Sequence, residues 1–331
     1  MPAAFKSLGV LYTKRCPLEC AHCVTESGPS AEGKLDVERA VHVIELIGPF
    51  VGRVALTGGE PLLYPEEIAE VVERTSHRFF VHVVTGAFWA KSERRTEEIL
   101  GRLRSAGLGH ISISWDPWHA EFIDARTFLR GLDAALAKGF QVAVVLGGSQ
   151  QDWRESGILR ELEQRGVGIN PQRLSFTGRA ATSLQLASNE PVEDRGCAGY
   201  FHLSVDWEGI LRVCCGPSLA AGPGSALYLG KLGEDDLVAA VERARRDPAL
   251  AGIAVLGPRV LARRAGRARL PVMQETSEAP CATCLGLFQD AAAVTRLREA
   301  LRRSGDHRRI VAAVMADAAR RERERSRLPP A

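Results

Sequence analysis

No apolar run in these 331 residues is long enough to span a bilayer, and Met1 to Ser7 lacks the apolar stretch of a secretory signal. Neither membrane spans nor export are expected, and the chain is read as cytoplasmic. An excess of one charge is missing too: 43 basic against 40 acidic residues leave a net charge of +3. That balance argues against a nucleic-acid footprint. Internal repeats are absent, and 45% apolar with 25% charged residues is no composition for a disordered chain. What is left is a globular protein too long for one ordinary core. A barrel-like domain with a smaller appendage is the natural division.

Eight cysteines stand out against this background. In a reducing compartment an uneven cysteine distribution points to metal or redox chemistry rather than to disulfides. They fall into three groups: Cys16, Cys20 and Cys23; then Cys197, Cys214 and Cys215; then Cys281 and Cys284. Cysteines used as small core hydrophobes would scatter.

Over residues 1–180 short apolar runs alternate with amphipathic stretches. Strands are predicted at Leu8–Tyr12, Val54–Leu56, Phe79–Val84, Ile111–Trp115, Val142–Leu146 and Leu174–Phe176. Helices are predicted near Val37–Ile47, Glu66–Arg74, Arg94–Leu103, Thr127–Ala137 and Gly157–Gln164, with Asp36 as an N-cap and Gly107 and Gly139 as stops. This alternation predicts parallel βαβ units in a partial (β/α)6, TIM-like barrel. Ligands of such folds gather at the C-terminal strand ends. There the sequence places Thr57-Gly58-Gly59-Glu60, Thr85-Gly86, Asp116 and Gly147-Gly148. Residues 181–196 read as a linker, and 197–290 as a small α+β domain opening with two short strands about a turn at Glu208-Gly209. Helices near Asp236–Arg246 and Ala291–Arg303 follow, and 291–331 ends in a charge-alternating tail, read as a solvated helix end.

The run Cys16-Pro-Leu-Glu-Cys20-Ala-His-Cys23 directly follows the first strand. Zinc sites usually supply paired C-x2-C units, and this is an unpaired triplet. A [4Fe–4S] cluster takes one thiolate per iron, so three thiolates leave one iron open to a chelating amino acid. A zinc site completed by His22, or three free core cysteines, are the competing readings.

With Gly58-Gly59-Glu60-Pro61 after the second strand, this triplet resembles the radical S-adenosylmethionine (SAM) superfamily. The resemblance implies SAM on the open iron, with Gly58 and Gly59 allowing close backbone approach and Glu60 accepting from the SAM ammonium. It implies ribose contacts from the Ser112, Ser114 and Asp116 stretch, a SAM carboxylate partner in Arg179, and adenine packing by His22. It also implies radical chemistry: SAM is reductively cleaved, and the 5′-deoxyadenosyl radical takes a substrate hydrogen atom. A flavodoxin or ferredoxin is the implied electron donor.

Cys197, Cys214, Cys281 and Cys284 resemble the shortened SPASM, or twitch, module, which holds one auxiliary [4Fe–4S] cluster; a zinc ribbon has the same ligand type. Two clusters would use seven cysteines and leave one. Neighbours on a strand face opposite ways, and the Gly209-x4-Cys spacing makes Cys214 the ligand and Cys215 the free thiol. Phe88-Trp89, Ser114-Trp-Asp116-Pro-Trp-His119, Cys197-Ala-Gly-Tyr200 and Cys214-Cys215-Gly-Pro217 together resemble the epipeptide-type radical SAM peptide epimerases. That implies inversion of Cα centres in a ribosomal peptide, with Cys215 as hydrogen donor. The chain departs from the pattern at Phe201, where an acidic residue is usual, and at Thr85-Gly86-Ala87, where Asn-Gly is. A radical SAM dehydrogenase or epimerase of a sugar or aminocyclitol shares the cysteine plan. Since the chain begins at strand one, no separate peptide-recognition domain is expected ahead of the barrel.

Overall fold

Six segments leave the chain as strands: β1 (Ser7–Thr13), β2 (Val54–Gly58), β3 (Val81–Thr85), β4 (His110–Trp115), β5 (Gln141–Gly147) and β6 (Gly168–Gln172). The computed structural model describes residues 5–148, 150–172, 174–175, 177–184, 196–214, 216–266 and 280–325. The six strands lie side by side in chain order, each parallel to the next. Period-2 alternation divides their side chains. Leu8, Val10, Val54, Leu56, Val83, Ile111, Ile113, Val144 and Leu146 are buried in the core shared with the helices, whereas Ala55, Thr57, His82, Val84, Ser112, Ser114 and Val145 are only partly covered. This is the open (β/α)6 architecture expected. Asp36 caps its helix by accepting from Arg39 N at 2.8 Å, and Gly107 and Gly139 end theirs at positive φ.

The sixth strand is a correction. It was expected at Leu174–Phe176 and lies at Gly168–Gln172, while Arg173 and Phe176 fall outside the described residues. Every residue of β6 is exposed, and it carries Pro171. An edge strand with no buried face shows no apolar alternation, and an edge is where proline is tolerated.

The two strands after Cys197 are present as β7 (His202–Val205) and β8 (Ile210–Val213), antiparallel about a turn held by Asp206 Oδ1, which accepts from Glu208 N and Ile210 N at 3.0 Å each. Buried Arg212 pairs with the same carboxylate at 2.6 Å. A third strand, β9 (Tyr228–Lys231), pairs with β8. These strands do not form a sheet of their own. β7 runs parallel to β1, with Ser7 opposite His202 and Val10 opposite Val205, so nine strands make one sheet. Helices Leu237–Ala244, Pro248–Val255, Pro258–Arg264, Pro280–Phe288, Ala291–Arg303 and Asp306–Arg325 complete the C-terminal part. Helices 248–255 and 258–264 had no sequence signal beyond a proline in their first turn, because the former is apolar nearly all round. Residues 185–195 of the expected linker and 326–331 of the tail lie outside the described residues. Among the described residues no helix is long and apolar enough to cross a membrane.

Candidate active site and cysteine centres

The first cysteine loop leaves β1 at Thr13 and is pinned where β2 ends. Gly59 N donates to Thr13 O at 2.6 Å, Glu60 N to Arg15 O at 2.9 Å, and Cys16 N to Gly28 O at 3.0 Å. The two glycines are required by this approach. Gly58 has φ +132, a Cβ there would stand 2.5 Å from Thr13 O, and one on Gly59 would stand 2.2 Å from Arg15 O. Close contact was expected toward a ligand; within the chain itself it is toward the cysteine loop.

The structure brings the three thiols together. Cys20 is buried with Leu18 and Ile123 beside Cys16, Phe88 and Trp118. Burial pushes the Cys16 thiol up to about 12, with Glu60 and Cys23 adding. Burial likewise pushes Cys20 up, with Asp116, Cys16 and Cys23 adding. Cys16 and Cys20 are buried thiols that resist ionisation and need a cation to hold them as thiolates, and with Cys23 beside them this fits a metal centre. Cys23 Sγ lies 3.1 Å from Thr25 Oγ1, which lies 2.8 Å from Ser27 Oγ.

Glu60 is turned inward. Its carboxylate accepts from Leu62 N, Thr85 Oγ1 and Gly86 N, each at 2.9 Å, and Trp89 Nε1 donates to Thr85 Oγ1 at 2.9 Å. Burial pushes this carboxyl up to about 7 against those donors. Thr85, read in the sequence as a strand end and as part of a departure from the epimerase pattern, is thus a direct partner of Glu60.

Asp116, 2% exposed, caps helix Pro117–Ala120 by accepting from His119 N at 2.9 Å. Its carboxylate also contacts His119 Nδ1 at 2.8 Å and His22 Nε2 at 3.3 Å. Burial alone would raise this carboxyl, but His119, and then His22, hold it below the ordinary aspartate range. Burial lowers His22, with Asp116 opposing. The His22 ring lies 5.0 Å from Trp118 and 5.1 Å from His119, and its Nδ1 is buried without a hydrogen-bond partner. Ligand atoms of Cys20, His22 and His119 lie within 4.8 Å of one another. The grouping of His119 with Asp116 and His22 was not foreseen; its i, i+3 spacing from a helix-capping Asp was the available signal. Ser112 and Ser114 share the partly covered face of β4 below Asp116. Arg179 is spent on the loop itself: Nη1 donates to Cys20 O at 2.9 Å and Nη2 to Ser27 O at 2.6 Å. A guanidinium carries five N–H donors, so these two bonds do not exhaust it.

The second centre gathers residues far apart in the chain. Cys197 opens a helical turn and accepts from Gly199 N at 3.4 Å; Cys214 follows β8; Cys281 and Cys284 sit on helix Pro280–Phe288. All four line one pocket with Tyr200, Val213, Leu227, Ile253 and Leu285. Cys284 is pushed far up by burial, with Cys281 and Cys197 adding. Cys214 holds φ +94, a backbone state a non-glycine residue adopts only where its surroundings impose it. Four thiols around one dry pocket suit either a tetrahedral zinc or a [4Fe–4S] cluster. Cys215 lies outside the described residues.

Comparison with known proteins bears on the first centre. The family model of the Radical SAM superfamily matches residues 10–162. A Bacillus subtilis protein named for peptide biosynthesis, YydG, is 23% identical over 231 residues, which cover 65% of this chain and 70% of YydG. The GTP 3',8-cyclase of Listeria monocytogenes is 28% identical over 213 residues, covering 59% of this chain and 62% of the cyclase. Among solved structures, Streptococcus suis SuiB bound to S-adenosylmethionine aligns at 13% identity and TM-score 0.44, over 71% of this chain and 65% of that one. The AdoMet and Cp18Cys peptide complex of anSMEcpe aligns at 10% identity and TM-score 0.47, over 94% of this chain and 99% of that one.

Proposed function

We propose that this chain, whose residues 10–162 match the Radical SAM family model, is a peptide-modifying radical SAM enzyme that inverts Cα centres in a ribosomally made peptide. The observation that carries the reading is the joining of Cys197, Cys214, Cys281 and Cys284 around one pocket. Assigning these four to one centre and Cys16, Cys20 and Cys23 to another uses seven of the eight cysteines and leaves Cys215 as the hydrogen donor of this reading. The similarity to a protein named for peptide biosynthesis supports a peptide substrate.

Bound at these centres, two [4Fe–4S] clusters and SAM would supply the electron and the 5′-deoxyadenosyl radical that removes the substrate hydrogen. The chain's own residues do the rest. Cys16, Cys20 and Cys23 would hold the first cluster. Gly58, Gly59 and Glu60, with Thr85 and Gly86 behind the carboxylate, would shape the methionine end of the SAM site. Ser112, Ser114 and Asp116 would serve the ribose, His22 backed by Trp118 the adenine, and the remaining donors of Arg179 the SAM carboxylate. Cys215 returns a hydrogen atom to the opposite face of the substrate carbon, and an electron and a proton from an external donor such as flavodoxin or ferredoxin restore its thiol.

Turnover in deuterated water tests this. Inversion should place one deuterium on the inverted carbon and form one 5′-deoxyadenosine per event. Cys215→Ala should keep both clusters and still cleave SAM, yet release no inverted product. A product two hydrogens lighter, formed equally well without Cys215, would establish the dehydrogenase reading instead.

A further inference from the structure

The segment after β6 touches both cysteine centres. Ser175 Oγ donates to the sulfur of Cys281 at 3.4 Å and lies 3.0 Å from Thr177 Oγ1. Two residues on, the chain serves the other centre: Arg179 N donates to Cys23 O at 3.0 Å, while its guanidinium holds Cys20 O and Ser27 O. Gly178 makes this approach possible. It has φ +62, and a Cβ there would stand 2.5 Å from Val24 O and 2.8 Å from Cys23 O. Gly216 rests on the same loop, where a Cβ would meet the Val24 side chain at 3.0 Å.

We propose that Ser175, Thr177, Gly178 and Arg179 are a positioning strap through which engagement of Cys281 at the auxiliary centre sets the shape of the Cys16–Cys23 loop. The proposal rests on the reading of the four-cysteine pocket as a filled centre. Its physical basis is the acceptor strength of Cys281. A metal-bound thiolate accepts a hydroxyl proton more strongly than a neutral thiol does. Filling the pocket therefore tightens the bond from Ser175 and draws the strap taut. At its other end the strap holds three carbonyls of the first loop, those of Cys20, Cys23 and Ser27. These carbonyls belong to the turn that presents Cys20 and Cys23, so the second centre organises the first without touching SAM.

Ser175→Ala in the reconstituted full chain removes the donor, and Ser175→Thr restores it. Three readouts apply: iron content, hydrogen–deuterium exchange of residues 16–28, and SAM affinity. Ser175→Ala should keep all its iron, exchange several-fold faster across the loop, and bind SAM roughly three- to tenfold more weakly. Ser175→Thr should return both values to wild type, a rescue that a purely structural role for the side chain would not give. Thr177→Val should weaken the loop in the same direction. Cys281→Ala should loosen the loop as much as Ser175→Ala does, and the double variant no further, because one coupling has been cut twice. Wild-type loop exchange in Ser175→Ala, or full additivity in the double variant, overturns the strap. About four iron per chain in the wild type instead of about eight would remove the auxiliary centre, and with it the proposal.

Discussion

Glu60 is fully enclosed and yet ionisable, and its chemistry follows from that conflict. Burial pushes its carboxyl from 4.5 up to about 7, so the folded chain keeps a proton that the unfolded chain has lost. Its contribution to stability is therefore fully present below pH 4.5 and is lost as pH rises through about 7. In the metal-free protein, Glu60→Gln should flatten the fall in Tm across that window, as read by circular dichroism; an unchanged slope would assign the fall to other groups. Cys214 offers a second test. At φ +94 a non-glycine residue is strained by about 1–3 kcal/mol, which glycine escapes. Without metal, Cys214→Gly should be more stable than Cys214→Ala by about 1 kcal/mol in urea denaturation, while both lose the auxiliary iron. The grouping of the cysteines was legible at this scale because their spacing is written in the chain. The contacts of His119 and the inward turn of Glu60 were not, because each depends on which strand end faces which loop.

Among the elements, the Gly58–Gly59 end of β2 carries the sharpest consequence. A methyl group on Gly59 meets the Arg15 carbonyl at 2.2 Å, backbone against backbone, so the cysteine loop must give way. Gly59→Ala should cost about 1–3 kcal/mol and remove the first iron centre while sparing the second, as iron analysis and spectroscopy would show. By contrast, Asp36→Ala should cost only about 1 kcal/mol through the lost cap, and leave both centres intact. Five of the six barrel strands were readable because one face of each is buried against helices and its apolar residues alternate. The sixth was misplaced because Gly168–Gln172 buries neither face. Helices 248–255 and 258–264 hid for the opposite reason: the first is enclosed on nearly every side, so no polar stripe marks its period.

Across the whole molecule the strands that lead into Cys16 and Cys214 belong to one sheet. Anaerobic reconstitution should give about eight iron and eight sulfide per chain, and replacing Cys16, Cys20 and Cys23 by Ala should leave about half. Tightly bound zinc with no iron-dependent absorbance would overturn the cluster assignment. The change in pattern between the segments before and after residue 180 was readable in the chain. Their joining was not, since parallel pairing of β7 with β1 links residues almost two hundred positions apart and leaves no local mark.

That pairing makes the C-terminal part a shield for β1. Leu8, Gly9 and Val10 pair on one side with β2 and on the other with Leu203, Ser204 and Val205. A fragment ending near residue 180 would strip one side of β1 and leave its backbone donors and acceptors open along a flat, apolar margin. Such margins recruit other strands. The fragment should therefore elute from a sizing column as multimers or precipitate, even though every residue of strands β1 to β6 is present. During synthesis the same exposure lasts until β7 emerges, and through that interval the nascent chain is most open to misassembly.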